Sequence, residues 1–597
     1  MIKLSDYVFD FIAGQGVRHV FLLPGGGCMH LVDSLGKHPT LTHSACLHEQ
    51  AAAICADAYA QYSGGLGVAL VTTGPGATNA ITGVAGSWID SVPVLVISGQ
   101  AKRADLMGDS GVRQIGIQEV DIVSVVRPIT KLARTVLDPQ SIRRDLEEAV
   151  FRATSGRPGP VWIDIPLDVQ GATIDEAQLE GFDPPERPAD PATAELAAQR
   201  AWTMIQQARR PVILAGNGIR LAGALEQFLQ LVEQLRVPVL TTWRAADFLP
   251  DDHPCFFGRP GAIAQRGANF VQQNADLLLV VGARLDLAQV GFNYPGLAPR
   301  ARKIVVDVDP AELGKIKTPV DLPACLDATQ FTEHLRRLVG NESCERPDWL
   351  SRCRRFRADY PVTLPGYRDQ KDHVNTYVLV DALSDLLAAD DVIVPGSSGS
   401  CAEITMQAFK VKRGQRIFNS PGLGAMGFGL PACIGACIAS GRRRTISIIG
   451  DGGLQHNIQE LETIRRLALP LKIFILNNFG YASIRTMQKN HFEGRLVCCD
   501  PTSRLTLPDT CRIARAYGIT ATRLESHEGL GQRLAEILAL DGPVICDVKV
   551  DPDLLTAPRL SSEVRPDGSI VSRPLEDLWP FLDREELARN MEPDTED

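Results

Sequence analysis

Short runs of β-branched and other apolar residues alternate along the chain with longer stretches whose apolar positions recur every three or four residues. Such alternation predicts parallel strands joined by amphipathic helices. The pattern is sharpest over residues 444–480. Thr445-Ile446-Ser447-Ile448-Ile449 reads as a buried strand, stopped abruptly by Gly450-Asp451-Gly452-Gly453. Over 454–467, Leu454, Ile458, Leu461, Ile464 and Leu467 keep near-helical spacing, with Glu460, Glu462, Arg465 and Arg466 between them, which predicts one amphipathic helix. Residues 471–476 read as the next strand and deliver Asn477 and Asn478 at its carboxyl end. Carboxyl ends of parallel strands share one sheet edge, so Asp451 and Asn478 are expected to converge there.

The same alternation divides the chain. Residues 1–172 form a first α/β unit with strands expected at 19–23, 67–72 and 92–97, each running into a loop of glycine or small polar residues. Leu47-His48-Glu49-Gln50 opens an alanine-rich helix over 51–60, whose small side chains predict close packing on a neighbour and draw Glu49 into that contact. Residues 171–193, with Pro184, Pro185, Pro188 and Pro191, read as a linker. A second unit spans 194–338, with strands at 211–215, 276–281 and 303–309, and assembles no catalytic group. Residues 340–373 read as a second linker, partly helical. The third unit, 374–552, holds the 444–480 stretch and a strand at 392–394 that runs into Pro395-Gly396-Ser397-Ser398-Gly399-Ser400. The tail, 553–597, carries a Pro566-Asp567-Gly568 turn and is either a strap across a neighbour or a loose terminus.

Composition narrows the class of protein. The 597 residues are 45% hydrophobic and 22% charged, as in a soluble α/β protein, and the net charge of -10 is spread rather than blocked, which argues against a nucleic-acid partner. No apolar run reaches membrane-spanning length, and the first residues carry a helical pattern rather than a targeting signal. Fourteen cysteines without a CxxC pair read as reduced thiols. A cytoplasmic protein is the expectation.

The chemistry expected at the sheet edge follows from the donors. One carboxylate, one amide oxygen and nearby carbonyls suit Mg²⁺, which takes one or two carboxylates together with phosphate oxygens. Gly452 and Gly453 are expected to leave backbone N–H groups for an anion. A diphosphate bridged by Mg²⁺ satisfies both. Gly422-Leu423-Gly424-Ala425-Met426-Gly427 matches GxGxxG, but no βαβ unit with a terminal acid follows, so a dinucleotide fingerprint is rejected.

Five motifs in order carry a family resemblance: His48-Glu49-Gln50, Thr73-Gly74-Pro75-Gly76-Ala77-Thr78-Asn79, Gln118-Glu119-Val120-Asp121-Ile122, the 422–431 segment, and Gly450-Asp451-Gly452 followed by Asn477-Asn478. Together they resemble the thiamine-diphosphate enzymes of the acetolactate synthase group over residues 1–550. The resemblance implies three doubly wound parallel-sheet domains: pyrimidine-binding, central and diphosphate-binding. It implies that Glu49 hydrogen-bonds the cofactor's pyrimidine N1′, that Gly424 offers its carbonyl to the aminopyrimidine, and that Met426 wedges the cofactor into its bent form. Asp451, Asn478 and the Gly480 carbonyl would hold Mg²⁺. Gln118 and the Gly25-Gly26 loop would face the thiazolium and substrate. Ser398, Gly399, Ser400, Gly452, Gly453 and Tyr481 complete the implied cofactor-binding set. In this group the cofactor lies between the first domain of one subunit and the third of another, which implies a homodimer or homotetramer.

The implied activity is decarboxylation of a 2-oxo acid, pyruvate foremost, and transfer of the acyl-anion equivalent to a carbonyl acceptor. Two departures bear on it. No tryptophan follows the paired asparagines, where the group uses one to shape the acceptor pocket. Arg485 and Lys489 stand nearby as candidate anion binders, and the acceptor is either pyruvate or a larger ketone or aldehyde such as a keto sugar. In the second unit Arg284 matches the group's flavin pattern, but the acidic-basic pair that should follow is missing. That leaves FAD and a purely structural central domain as alternatives. Simple decarboxylation, C–C hydrolysis of a cyclic dione and a non-catalytic partner are the other readings, the last opposed by the presence of Glu49, Asp451 and Asn478 together.

Overall fold

Three parallel sheets organise the molecule, described here from a computed structural model over residues 1–185, 191–565 and 567–592. The first has six strands in the spatial order Thr42–Ala45, His19–Leu22, Gly67–Val71, Val94–Gln100, Val161–Pro166, Leu132–Thr135. The central sheet has five: Val239–Thr241, Pro211–Ala215, Leu277–Val281, Arg302–Asp307, Leu322–Cys325. The third again has six: Arg416–Ile417, Val392–Ile393, Thr445–Gly450, Leu471–Asn477, Val544–Lys549, Thr520–Leu524. All neighbours within these sheets pair in parallel. The inner strands are buried and rich in Val, Ile and Leu because both faces are covered by helices, whereas edge strands such as Thr42–Ala45, Leu132–Thr135 and Thr520–Leu524 are mixed and partly exposed. Numbered along their own segments, the first and third sheets share the order 2-1-3-4-6-5. In each, the chain reverses its winding direction between strands 1 and 3, where open α/β sheets place ligands.

Several expected elements take a different form. The helix predicted over 454–467 is broken into a four-residue turn of helix, Asp451–Leu454, a 3₁₀ turn, Gln455–Asn457, and a helix, Glu460–Arg466. Asn457 in the break is fully buried and donates from Nδ2 to the Gly427 carbonyl at 2.9 Å. A tertiary hydrogen bond thus accompanies the interruption that helical periodicity hid. Glu460, expected on a polar face, is completely buried, and its Oε1 accepts from the Leu47 backbone N–H at 2.8 Å. Residues 340–373 include the helix Pro347–Asp359, whose Trp349, Leu350, Cys353 and Phe356 are buried in a core of the central domain.

Pro184 and Pro185 lie in irregular chain, Pro188 lies outside the described residues, and Pro191 begins the helix Pro191–Gln207. The tail straps across its own central domain: Asn269 Nδ2 donates to the Leu575 carbonyl at 2.7 Å and Arg266 Nη1 to that of Leu578 at 3.1 Å. Pro566 of the expected turn lies outside the described residues, but the strands around it pair as a hairpin, Ser562–Val564 with Ile570–Ser572. Among the described residues no helix is long and apolar enough to cross a membrane.

The alanine-rich helix, Glu49–Ser63, packs on Gly429–Ala439 of the third domain. The two backbones approach so closely that a Cβ at Gly435 would lie 2.2 Å from the Cys55 carbonyl oxygen. Small side chains are what permit such contact.

Candidate active site

Strand Thr445–Gly450 ends on Asp451, and strand Leu471–Asn477 beside it ends on the loop that wraps Asp451. Asp451 is buried; its Oδ1 accepts from the Gly452 N–H at 2.8 Å and its Oδ2 from the Gly480 N–H at 3.1 Å. Burial pushes its carboxyl up to about 7, and these N–H bonds pull against that rise. The Gly452 N–H expected to face an anion is therefore already engaged by Asp451. Gly480 adopts φ +144°, and a Cβ there would sit 2.2 Å from the Cys499 carbonyl oxygen, so only glycine lets the loop turn back on Asp451.

The two asparagines part company. Asn477 Oδ1 accepts the Phe479 N–H at 3.3 Å, whereas Asn478 is buried with its Oδ1 unpartnered. A buried amide oxygen without a donor is costly unless something absent from the protein completes it. Asp451 and Asn478 follow neighbouring strands, and a carboxylate and an amide oxygen are the donor types that suit a hard divalent cation. Tyr481 rests its ring on Gly452, where an added Cβ would meet Cε1 at 2.4 Å, while Gly453 faces open space.

Two further segments reach the same domain's edge. Ser398 and Gly399 follow strand Val392–Ile393, the neighbour of Thr445–Gly450, and Ser400 opens the helix Ser400–Ala408. Gly424, at φ +64°, donates its N–H to the Ser420 carbonyl at 3.2 Å, and Met426 is half-exposed rather than packed into the core.

On the first domain, Glu49 is buried at the start of its helix and its Oε2 accepts from Asn79 Nδ2 at 2.9 Å. His48 caps that helix by accepting the Gln50 N–H at Nδ1. Gln118 is exposed, with φ +61°, and its carbonyl oxygen is held against Gly74, where a Cβ would come within 2.2 Å. Its neighbour Glu119 anchors the loop by accepting the N–H groups of Met107, Ile115 and Gly116. Gly25 and Gly26 follow strand His19–Leu22 on the same edge. Among the described residues no hydrogen bond joins Glu49 or Gln118 directly to Asp451, Asn478 or Gly480. The structure thus forms two clusters, one on each outer domain.

Between the three domains lies a cavity of about 920 Å³, which sequence reasoning did not anticipate. Arg157, Arg244, Arg284 and Lys315 line it, with Ser398 and Gly422 at its third-domain wall. Sequence reasoning also missed Asn79 as the partner of Glu49, although it quoted the motif, and Asp90, which accepts from Ser420 Oγ at 2.6 Å.

Comparison with known proteins covers both clusters. Residues 2–125 match the thiamine pyrophosphate enzyme N-terminal TPP binding domain, 198–335 the central domain of those enzymes, and 397–548 their C-terminal TPP binding domain. The probable acetolactate synthase large subunit of Methanocaldococcus jannaschii is 33% identical over 567 residues, spanning 92% of each chain. The acetolactate synthase isozyme 1 large subunit of Escherichia coli is 33% identical over 550 residues, 92% of this chain and 94% of its own. Chloroplastic acetolactate synthase 2 of Zea mays is 32% identical over 564 residues, 92% of this chain and 85% of its own. With all three domain models matched in order and relatives aligned along nearly the whole length, the chain belongs to the thiamine pyrophosphate enzymes, in their acetolactate synthase-like group.

Proposed function

We propose that this protein is a thiamine diphosphate- and Mg²⁺-dependent carboligase that decarboxylates a 2-oxo acid, pyruvate first, and joins the remaining acyl unit to a carbonyl acceptor. The observation that carries the reading is the buried, unpartnered Oδ1 of Asn478, on the loop whose Gly480 N–H binds the Asp451 carboxylate. Those three residues would hold Mg²⁺ and, through it, the diphosphate. Bound thiamine diphosphate supplies the electron sink that lets the acid lose CO₂ and its acyl carbon attack a second carbonyl.

The remaining work belongs to the chain's own side chains. Glu49 would hold a proton at the pyrimidine N1′; Asn79 occupies its Oε2 and leaves Oε1 for that contact. The Gly424 carbonyl orients the aminopyrimidine and Met426 props the cofactor. Ser398, Gly399, Ser400, Gly452, Gly453 and Tyr481 would line its diphosphate end. Gln118 and the Gly25-Gly26 loop would close the substrate side. Because Glu49 and Asp451 sit in separate clusters, the site is completed between two subunits. Exposed apolar residues favour that: Ile117 beside Gln118 is 90% exposed, and Phe479, Ile484 and Met487 flank the Asp451 loop.

The central cavity's volume falls in the upper part of the roughly 300–1,000 Å³ range of small-molecule sites, so FAD fits there in size, although Arg157, Arg244, Arg284 and Lys315 share its lining with Asp90, Asp286, Asp307 and Glu312. Flavin absorbance in the purified protein would assign it; colourless, active protein would leave the central domain structural.

The deciding experiment incubates the protein with thiamine diphosphate, Mg²⁺ and pyruvate, follows CO₂, and identifies the product by mass. Acetolactate is expected if pyruvate is also the acceptor. Acetaldehyde, or slow CO₂ release accelerated by an added ketone or aldehyde, would instead identify a larger acceptor. Absence of CO₂ with cofactor bound would overturn pyruvate as donor.

A further inference from the structure

Residues 89–91, on the first domain, form a junction that no catalytic role accounts for. Three arginines of the central cavity converge on it. Arg284 Nη1 donates to the Ile89 carbonyl at 2.8 Å, Arg244 Nη1 to the Asp90 carbonyl at 2.8 Å, and Arg157 Nε to Ser91 Oγ at 2.8 Å. The Asp90 carboxylate spans the junction: its Oδ1 lies 3.5 Å from Arg244 Nη1, while its other oxygen reaches the third domain. Its Oδ2 accepts from Ser420 Oγ at 2.6 Å, a bond between residues 330 positions apart. Ser420 is buried and fully engaged: its N–H donates to Ser397 Oγ at 3.0 Å, and its carbonyl accepts the Gly424 N–H at 3.2 Å. Gly422 closes against the same junction, where an added Cβ would lie 2.4 Å from Ile89 Cγ2 and 2.7 Å from Asp90 Oδ1.

We propose that Asp90 is a positioning residue: through Ser420 it sets the Gly422–Met426 loop and ties it to the arginine wall of the central cavity. The inference rests on the roles proposed above for Gly424 and Met426. Gly424 reaches the cofactor through a carbonyl on a loop with a positive-φ turn, and such a loop holds its geometry only if its flanks are pinned. Asp90 and Ser397 pin Ser420, and Ser420 pins Gly424. A buried charge-assisted hydrogen bond between domains is directional, unlike the apolar packing around it.

Ser420→Ala removes one oxygen and is the primary test, with Asp90→Asn and the double variant beside it. The Ser420→Ala protein should bind thiamine diphosphate with little change. Its near-ultraviolet circular dichroism with cofactor bound should differ from wild type, because the aminopyrimidine is held differently. Turnover should fall about tenfold to a hundredfold with KM for the 2-oxo acid nearly unchanged, the cost of misplacing a reacting group. Acting through one bond, the two substitutions should not multiply in the double variant. Unchanged dichroism and turnover in Ser420→Ala, or a lowered melting temperature alone, would overturn the proposal. So would fully multiplicative losses. If wild-type protein binds cofactor yet releases no CO₂ from pyruvate, the donor assignment fails, while the dichroism of the bound cofactor still decides the role of Asp90.

Discussion

Of two adjacent asparagines, Asn477 spends its side-chain oxygen on the Phe479 N–H and Asn478 leaves a buried oxygen unpartnered, as expected where successive side chains leave a strand end on opposite sides. The same attention to single buried groups singles out Asp164 in the first domain. It accepts hydrogen bonds from Ser98, Gln100 and Thr135, yet burial outweighs them and pushes its carboxyl up to about 7. Gln100 also donates to the carbonyl of Val120, two residues beyond Gln118. A folded-state value above the ordinary 3.8 means that the native protein holds a proton the unfolded chain has lost, between about pH 4 and 7. Asp164 therefore lends stability at the acid end of that window and loses it as pH rises. Asp57, pushed by burial up to about 6, acts in the same direction. Asp164→Asn should make the melting temperature less sensitive to pH between about pH 4 and 7. An undiminished slope in that variant would refute the assignment.

At the scale of elements, the contact between Glu49–Ser63 and Gly429–Ala439 ties the helix that begins at Glu49 to the domain that matches the C-terminal TPP binding domain, within one chain. The Glu460–Leu47 bond at 2.8 Å clips the turn that precedes Glu49 to the helix that follows Asp451. Gly435→Ala would place a methyl group 2.2 Å from the Cys55 carbonyl oxygen and force the helices apart. It should destabilise the protein by about 1–3 kcal/mol, read by chemical denaturation, with the loss of activity tracking the fraction unfolded. Unaltered stability would show that this helix pair shifts freely.

For the whole molecule, the shared 2-1-3-4-6-5 strand order gives the outer domains equivalent ligand-facing edges, one bearing Glu49 and Gln118, the other Asp451 and Asn478. Glu49→Gln should bind cofactor without turnover, and Asp451→Ala should lose Mg²⁺-dependent cofactor binding. Mixed and co-refolded, the two inactive variants should recover activity, because a site built from opposite subunits leaves one intact site in each mixed dimer. Random assortment predicts about a quarter of wild-type activity for a dimer. No recovery in verified mixed dimers would mean that each chain builds its site alone.

The sequence by itself determined the strand runs, the glycine-bounded loops and the motifs of the family, since local periodicity and turn chemistry are written in neighbouring residues. Glu49, Asp451 and Asn478 stood out as candidates in the sequence because their motifs are contiguous. The break at Asn457, the burial of Glu460 and the Asp90–Ser420 link were decided only by the tertiary structure. Each depends on a partner distant along the chain, and periodicity records which face an element buries but not which polar group waits on the other side.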